Sequence, residues 1–465
     1  MKVLGTPKPT DEQLKIIADT RTGTEIIRGA AGSGKTTTAL LRLRNLTDMF
    51  RARHKRMGIA EPVKTLVLTY NRTLCGYVEA LAEEQATRGG GVSLEVRTFA
   101  QWARQFAIHP NIINDRTGRI SRLAALEGVK LPSKFVASEV EYVMGRFLPG
   151  SSGAYLDAER AGRGIAPRVE RPNRELILKV IEKYRAEIAK AGFLDWEDLT
   201  AAALSAPPRG YQIIVVDEAQ DFSANQIRAL RRHLANEYAL TLVIDTAQRL
   251  YPRGYTWLEA GIVARQAQFY RLAQNHRNTV EIAEFASGIV SGLKIDDDGT
   301  LPDLTKATRR GPLPLVLKGK YSGQLDAAID NIRKNVDLKS ETVAFLKPLG
   351  GLWFREVEGR LKREKLPYDD ITRSREWPDN DTNIVLSTMH SAKGLEFDHV
   401  VILGLSEEVT PHGSDEDDDQ LLTLRRLLAM AVARARKSVT IGYKASEASG
   451  LVRYFRSGTF TERAV

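Results

Sequence analysis

Gly29-Ala30-Ala31-Gly32-Ser33-Gly34-Lys35-Thr36 is the stretch that decides the fold. It follows the short apolar run Thr24 to Arg28 and precedes a segment with helical spacing, Thr36 to Leu46. A Gly-rich loop between a strand and a helix, ending in Lys-Thr, is the P-loop pattern. Glycines allow the backbone N–H groups to turn toward phosphate oxygens, and the helix N-terminus adds partial positive charge. Lys35 is placed to neutralise the β- and γ-oxygens of ATP, and the Thr36 hydroxyl to hold Mg²⁺. Gly29, Gly32, Ser33, Gly34, Lys35 and Thr36 are therefore the first candidate nucleotide-binding residues.

Hydrolysis needs a carboxylate for the metal and a base to orient the attacking water. Ile213-Ile214-Val215-Val216-Asp217-Glu218 offers both at the end of an apolar run that reads as a buried strand. Asp217 is the candidate metal ligand beside Thr36, and Glu218 the candidate base.

Further runs, Thr65 to Thr69 and Ala239 to Asp245, complete one set of buried parallel strands separated by helical segments. A similar alternation returns with Thr342 to Lys347, Asn383 to Ser387, His399 to Gly404 and Ser438 to Tyr443. The expected fold class is α/β, with two doubly wound lobes in tandem, each a parallel sheet flanked by helices; the family resemblance given below implies that they are RecA-like P-loop lobes. Residues 1–106 and 193–278 are assigned to the first lobe and 279–465 to the second. Residues 107–192 read as a mainly helical insertion rich in Arg and Lys (Arg160, Arg163, Arg168, Arg171, Arg174, Lys179, Lys183). The run Asp415 to Asp419 reads as a solvated loop, because adjacent acids repel and do not all face one ion.

At 465 residues the chain is long enough for about three compact pieces. Lys plus Arg number 68 against 58 Asp plus Glu, a net charge of +10 that favours a polyanionic partner. Cys75 is the only cysteine, which excludes an internal disulfide and a thiolate zinc cluster and fits a reducing compartment. No apolar run approaches the roughly 18 residues of a membrane span, and Met1 to Thr10 carries no secretory h-region, so the expected location is the cytoplasm.

From Asp217-Glu218-Ala219-Gln220-Asp221 onward the sequence resembles the UvrD/Rep/PcrA-like superfamily 1 helicases, and their motifs follow in order. Gln13 resembles the Q-motif glutamine that reads adenine. Gln248, in Asp245-Thr246-Ala247-Gln248-Arg249-Leu250-Tyr251, resembles the motif III γ-phosphate sensor. Arg277, in Asn275-His276-Arg277, and Arg434, in Met430-Ala431-Val432-Ala433-Arg434, resemble the two arginines that meet the γ-phosphate from opposite lobes. Thr388-Met389-His390-Ser391-Ala392-Lys393-Gly394-Leu395-Glu396-Phe397 is similar to motif V. The resemblance implies that Glu396 contacts ribose and that Thr388 and His390 face nucleic acid.

Thr69-Tyr70-Asn71-Arg72 resembles motif Ia and Arg97-Thr98-Phe99 motif Ib. Rings beside basic residues suit a single strand, because bases stack on the rings while cations meet phosphates. Tyr70, Asn71, Arg72, Thr98, Phe99, Tyr251 and Trp257 are thus candidates for the track, against the alternative that each aromatic packs on its own helix.

Some positions depart from the family pattern. His276 stands for a tyrosine, Ala429 and Ala433 stand for Tyr and Thr, and Pro252-Arg253-Gly254 shortens a Trp-Arg-Gly. Only Thr372 to Asp381 or so occupies the place of a long second insertion. The resemblance implies an ATP- and Mg²⁺-dependent translocase or helicase on single-stranded DNA, moving 3′ to 5′, with RNA as the lesser alternative track and no membrane association. The rival reading is a DNA-stimulated ATPase switch within a repair or phage-defence complex, working beside a separate nuclease or repair factor.

Overall fold

The computed structural model describes residues 9–29, 33–69, 75, 78–79, 82–83, 90–108, 110–160, 167–244, 255–272, 278–293, 309–348, 353–372, 382–413, 415–416 and 418–465. The chain builds two parallel sheets flanked by helices, as tandem RecA-like lobes do. In the first, β1 (Gly23–Gly29), β2 (Val63–Thr69), β3 (Val92–Thr98), β4 (Tyr211–Val216), β5 (Leu234–Ile244) and β6 (Gln268–Leu272) stand in the order β3-β2-β4-β5-β1-β6. In the second, β7 (Leu315–Lys318), β8 (Val343–Lys347), β9 (Asp369–Asp370), β10 (Ile384–Thr388), β11 (Phe397–Ile402), β12 (Ala435–Tyr443) and β13 (Thr461–Ala464) stand in the order β13-β7-β12-β11-β8-β10-β9. The apolar runs read from the sequence all fall on these strands. Strands β3, β6, β7, β9 and β13 were not among those runs.

Helix α1 (Asp11–Ala18) precedes β1, and α2 (Lys35–Met57), α3 (Phe99–Ala103), α4 (Arg116–Leu126), α5 (Ser133–Arg146), α6 (Arg171–Lys190), α7 (Trp196–Ser205) and α8 (Ala224–Arg232) fall between the strands of the first sheet. Those of the second lobe are α9 (Val280–Val290), α10 (Tyr321–Asn335), α11 (Trp353–Arg363) and α12 (Asp419–Val432). Local chemistry sets several starts. Ser223 and Gln226 cap α8 reciprocally, with Gln226 N–H donating to Ser223 Oγ at 3.3 Å and Ser223 N–H to Gln226 Oε1 at 3.0 Å. Asp418 takes the Leu421 N–H at 2.9 Å at the head of α12. None of the described helices is long and apolar enough to cross a membrane.

Helices α4, α5 and α6 surround a core of their own that includes Ile120, Val140, Tyr155, Ile177 and Tyr184. The chain enters and leaves this helical insertion side by side. Ile112 and Leu194 form an isolated parallel bridge, with Ile113 N–H donating to Leu194 O at 3.0 Å and Leu194 N–H to Asn111 O at 2.8 Å.

Many of the insertion's basic side chains are engaged internally. Arg160 grips the buried Glu139 with two bonds of 2.8 Å, and Tyr155 donates to the same carboxylate at 2.7 Å. Arg174 donates to the carbonyls of Tyr155, Leu156 and Ala158. Arg171 pairs with Asp157, and Lys183 with Glu127. Arg163 lies outside the described residues.

Candidate active site

β1 and β4 flank β5, so the loop after β1 and the carboxylates after β4 meet at one edge of the sheet. Gly34 begins α2 with φ of +75°, a left-handed conformation that glycine adopts without strain. A Cβ there would also lie 2.4 Å from Gln13 Nε2. Gln13 crosses the loop: its Nε2 donates to Ser33 O at 3.0 Å, while its Oε1 accepts from Thr10 N–H at 2.9 Å. Lys35 Nζ donates to Gly29 O at 2.8 Å, which keeps the ammonium against the phosphate loop.

Thr36 Oγ1 donates to Asp217, at 2.9 and 3.1 Å from its two carboxylate oxygens. Burial and the neighbouring charge of Glu218 push the Asp217 carboxyl up from its ordinary range. Two adjacent oxygen donors fit Mg²⁺, a hard cation bound through one or two protein ligands plus phosphate and water. Thr36 and Asp217 would hold it.

Glu218 follows with φ of 52°, rare for a residue with a Cβ, and is 8% exposed. This turn directs its carboxylate toward the second lobe. Lys393 Nζ lies 3.4 Å from Glu218 Oε2 and also pairs with Asp221. Gln220 donates to the same Glu218 oxygen. Burial acts to raise the Glu218 carboxyl, but Lys393, Arg434, Lys35 and the Gln220 bond together hold it below the usual carboxylate range. Arg434 is buried, with Nε donating to Met430 O at 3.1 Å. Asn278 Nδ2 donates to the carbonyls of Ala433, at 3.0 Å, and Ala435, which ties the last residue assigned to the first lobe to the turn that carries Arg434. The arrangement is a buried, ionised carboxylate ringed by cations from both lobes, next to a loop shaped for phosphate. It can hold a triphosphate and take a proton from water.

Among the other expected residues, Glu396 is half-buried at the start of β11. Thr388 Oγ1 donates to Ser391 Oγ at 2.9 Å and accepts from Ser391 N–H at 3.0 Å, which closes the turn that carries His390. Trp257 is half-buried and packs edge-on against Tyr255. Gly32, Tyr70, Asn71, Arg72, Gln248, Tyr251 and Arg277 lie outside the described residues.

Two track candidates sit otherwise than an open track requires. Thr98 is buried and spends its hydroxyl as the N-cap of α3, accepting from Gln101 N–H at 3.3 Å. Phe99 is 8% exposed and packs between Trp102 and Phe222 in the core of the first lobe. The ring next to Arg97 looked like a stacking platform in sequence, but its position as the first residue of α3 turns it inward.

Sequence reasoning gave no role to Lys393 or Asp221. Both stood in quoted motifs, but a pairing across 172 residues has no local signal. Trp196 is 38% exposed at the start of α7, with the Arg104 guanidinium 5.8 Å from its ring centre.

Comparison with known proteins agrees with this geometry. A model described as an AAA domain matches residues 13–253, more than half of the chain, and a model of the UvrD-like helicase C-terminal domain matches residues 357–446. A 71-residue stretch is 39% identical to the ATP-dependent DNA helicase PcrA of Staphylococcus aureus (strain Mu50), covering 15% of this chain and 10% of that protein. A 57-residue stretch is 40% identical to the ATP-dependent DNA helicase Rep of Escherichia coli (strain K12), covering 12% and 8%. The matched stretches thus span about a tenth of the length of these curated relatives. A solved C-terminal domain of a possible DNA helicase from Lactobacillus plantarum WCFS1 aligns over 40% of this chain and 98% of its own, with 22% identity and a TM-score of 0.29. With one family model over more than half of its length and the UvrD-like model behind it, the chain belongs to the UvrD/Rep/PcrA-like helicase family.

Proposed function

We propose that the chain hydrolyses ATP between its two lobes and couples the cycle to movement along single-stranded DNA. The observation that carries this reading is the convergence of Lys393 and Arg434 of the second lobe on Glu218 of the first. A catalytic carboxylate whose electrostatic environment is completed by the other lobe makes chemistry depend on lobe closure. The relatives' printed names, ATP-dependent DNA helicases, support the same substrate pair.

In this reading the P-loop N–H groups and Lys35 bind the β- and γ-phosphates, and Gln13 reads the base. Thr36 and Asp217 would hold Mg²⁺, which would supply positive charge at the phosphates. Glu218 orients a water in line with the γ-phosphorus and accepts its proton. Arg434, with Arg277 as its expected counterpart, stabilises charge on the transferring group. The 3′ to 5′ direction rests on family resemblance.

ATP hydrolysis measured with and without single-stranded DNA tests this reading, with Lys35→Ala as the blank. Stimulation that vanishes in the variant supports a DNA-coupled motor. DNA binding without stimulation favours the second reading, an ATPase switch that signals to a separate nuclease or repair factor. The few residues between Thr372 and Thr382, where the family's second insertion usually stands, favour that second reading to the extent that unwinding is weak. Robust strand displacement by the isolated chain would remove it.

A further inference from the structure

The C-terminal end of α5, in the helical insertion, is held from two sides. On one side stands α8, whose N-cap Ser223 is the second residue after Asp221. Asn225 Nδ2 donates to Met144 O at 3.0 Å and to Phe147 O at 2.9 Å, and Arg228 Nη1 donates to Arg146 O at 2.8 Å. Gly145 permits this close seat, since a Cβ there would lie 2.8 Å from the Cβ of Ser223.

On the other side lies the turn of residues 256–262, closed by Ile262 N–H donating to Trp257 O at 2.8 Å. Arg146, the last residue of α5, donates through Nε to Glu259 Oε1 at 2.8 Å, and its Nη2 lies 2.8 Å from the same oxygen. Glu259 Oε2 accepts from Thr256 N–H at 2.7 Å and from Thr256 Oγ1 at 3.0 Å. One carboxylate therefore closes its own turn and fastens that turn to α5. The third nitrogen of Arg146, Nη1, donates to Tyr142 Oη and to Glu159 O, so the guanidinium fork is spent on the protein. The turn also touches α8, for a Cβ on Gly261 would lie 2.3 Å from Arg231 Nη1.

The end of α5 thus locks together two segments that run out of the ATP site. Helix α8 follows Glu218 and Asp221, and the turn follows the stretch 245–251, whose Gln248 is expected to meet the γ-phosphate. Exposed ion pairs hold geometry weakly, but the side chains here are only 8% and 28% exposed. Placement matters at this distance from the chemistry, because a displacement of about 1 Å at a catalytic group can cost on the order of 100-fold in rate.

We propose that Arg146 and Glu259 form a positioning pair for DNA-stimulated hydrolysis. A strand bound by the chain shifts the insertion, and the pair carries that shift to the Trp257 turn and, with α8, to Glu218. The proposal rests on the single-strand reading above and names the residues that join the strand to the catalytic acid.

The test is steady-state ATP hydrolysis by the full chain, with and without oligothymidylate, in the unmodified chain, Glu259→Gln, Arg146→Met, Arg146→Lys and the double variant Glu259→Gln/Arg146→Met. Glu259→Gln keeps an acceptor for Thr256 and removes the charge from a partly exposed position, so it serves even where Arg146→Met does not fold. The KM for ATP and the rate without DNA are expected to hold, while the DNA-stimulated kcat falls about threefold or more, the scale of a substitution that alters coupling without touching either ligand. Arg146→Lys, which keeps the charge and loses the fork, retains part of the stimulation. The double variant loses no more than the worse single one, because both remove the same interaction. Rates with and without DNA that fall in equal proportion, alongside a lowered thermal midpoint, make the pair merely structural and overturn the proposal. Full stimulation in Glu259→Gln overturns it too and leaves the motor standing. No stimulation in the unmodified chain overturns both.

Discussion

Lys393 Nζ sits 3.4 Å from the Glu218 carboxylate, so the second lobe supplies a nearly water-free cation to the acid that the first lobe presents. The same ammonium pairs with Asp221, and its side chain is 1% exposed. Removing one partner of such a buried cluster costs about 3–5 kcal/mol, because the charges left behind lack compensation. Lys393→Ala is expected to lower the kcat of ATP hydrolysis by about tenfold or more, since both lobe closure and the charge around Glu218 suffer. Binding of a fluorescent ATP analogue, which depends chiefly on the first lobe, should change far less. A variant with unchanged kcat would show that Lys393 is only a structural contact.

Gly34 combines two constraints that one substitution separates. Gly34→Ala places a Cβ at a φ of +75° and 2.4 Å from Gln13 Nε2. The backbone contribution is about 1 kcal/mol, and the contact adds to it. Nucleotide affinity should fall in Gly34→Ala, and in Gln13→Ala through loss of the base contact, but adding Gly34→Ala to Gln13→Ala should cost less than it does in the unmodified chain, because the side-chain contact is gone. Titration of the single and double variants with the fluorescent analogue reads both effects. No further loss on adding Gly34→Ala to Gln13→Ala would mean that backbone strain contributes nothing.

The engaged cations of the insertion lead to a negative prediction. Arg171 faces Asp157 and Lys183 faces Glu127, so neither is a free phosphate contact. Each phosphate contact on a single strand adds about 0.7 to the slope of log affinity against log salt. Arg171→Ala and Lys183→Ala are expected to leave that slope unaltered. A reduction near 0.7 for either would place it on the nucleic-acid track.

At the entry ends of β8, β11 and β12, Glu341 accepts from Lys437, from Asp337 N–H at 3.0 Å, and lies 3.1 Å from His399 Nε2. Partial burial acts to raise its carboxyl, but these bonds hold it down at about 2 against an ordinary 4.5. A depressed folded value means stability present above the unfolded value and lost as pH falls from 4.5 toward 2. Glu341→Gln should lower the thermal midpoint at pH 7 by a few degrees, on the order of 1 kcal/mol. The gap to the unmodified chain should close as pH is taken below 4.5. A gap independent of pH would assign the loss to packing and not to charge.

The nucleotide loop and the acidic pair were legible because each is a contiguous string whose chemistry is local. Gly29 to Thr36 and Ile213 to Glu218 needed no distant partner to be understood. β13 was not legible: Thr461-Glu462-Arg463-Ala464 is exposed throughout, so no apolar pattern marks it. β3 alternates only weakly, with Glu95 and Arg97 in its run. Phe99 shows the limit of a compositional cue, since a ring beside a basic residue looks the same whether it points into a core or onto a strand. Lys393 shows the other limit, for its meaning lies in Asp221 and Glu218, brought to it by the closure of two lobes.

The bridge between Ile112 and Leu194 joins the entry and exit of the helical insertion to each other, while Asn225 and Arg228 of α8 fasten the end of α5 to the first lobe. Topologically the insertion is a graft. A connection whose ends are already bonded to each other leaves the host strands indifferent to what hangs beyond, and doubling a loop's length adds only about 0.6 kcal/mol to its closure. At this junction the ATP-handling lobe can carry a larger or smaller attachment that keeps the seat of α5 on α8. Members of such a lineage can diverge in what they grip while keeping the engine unchanged.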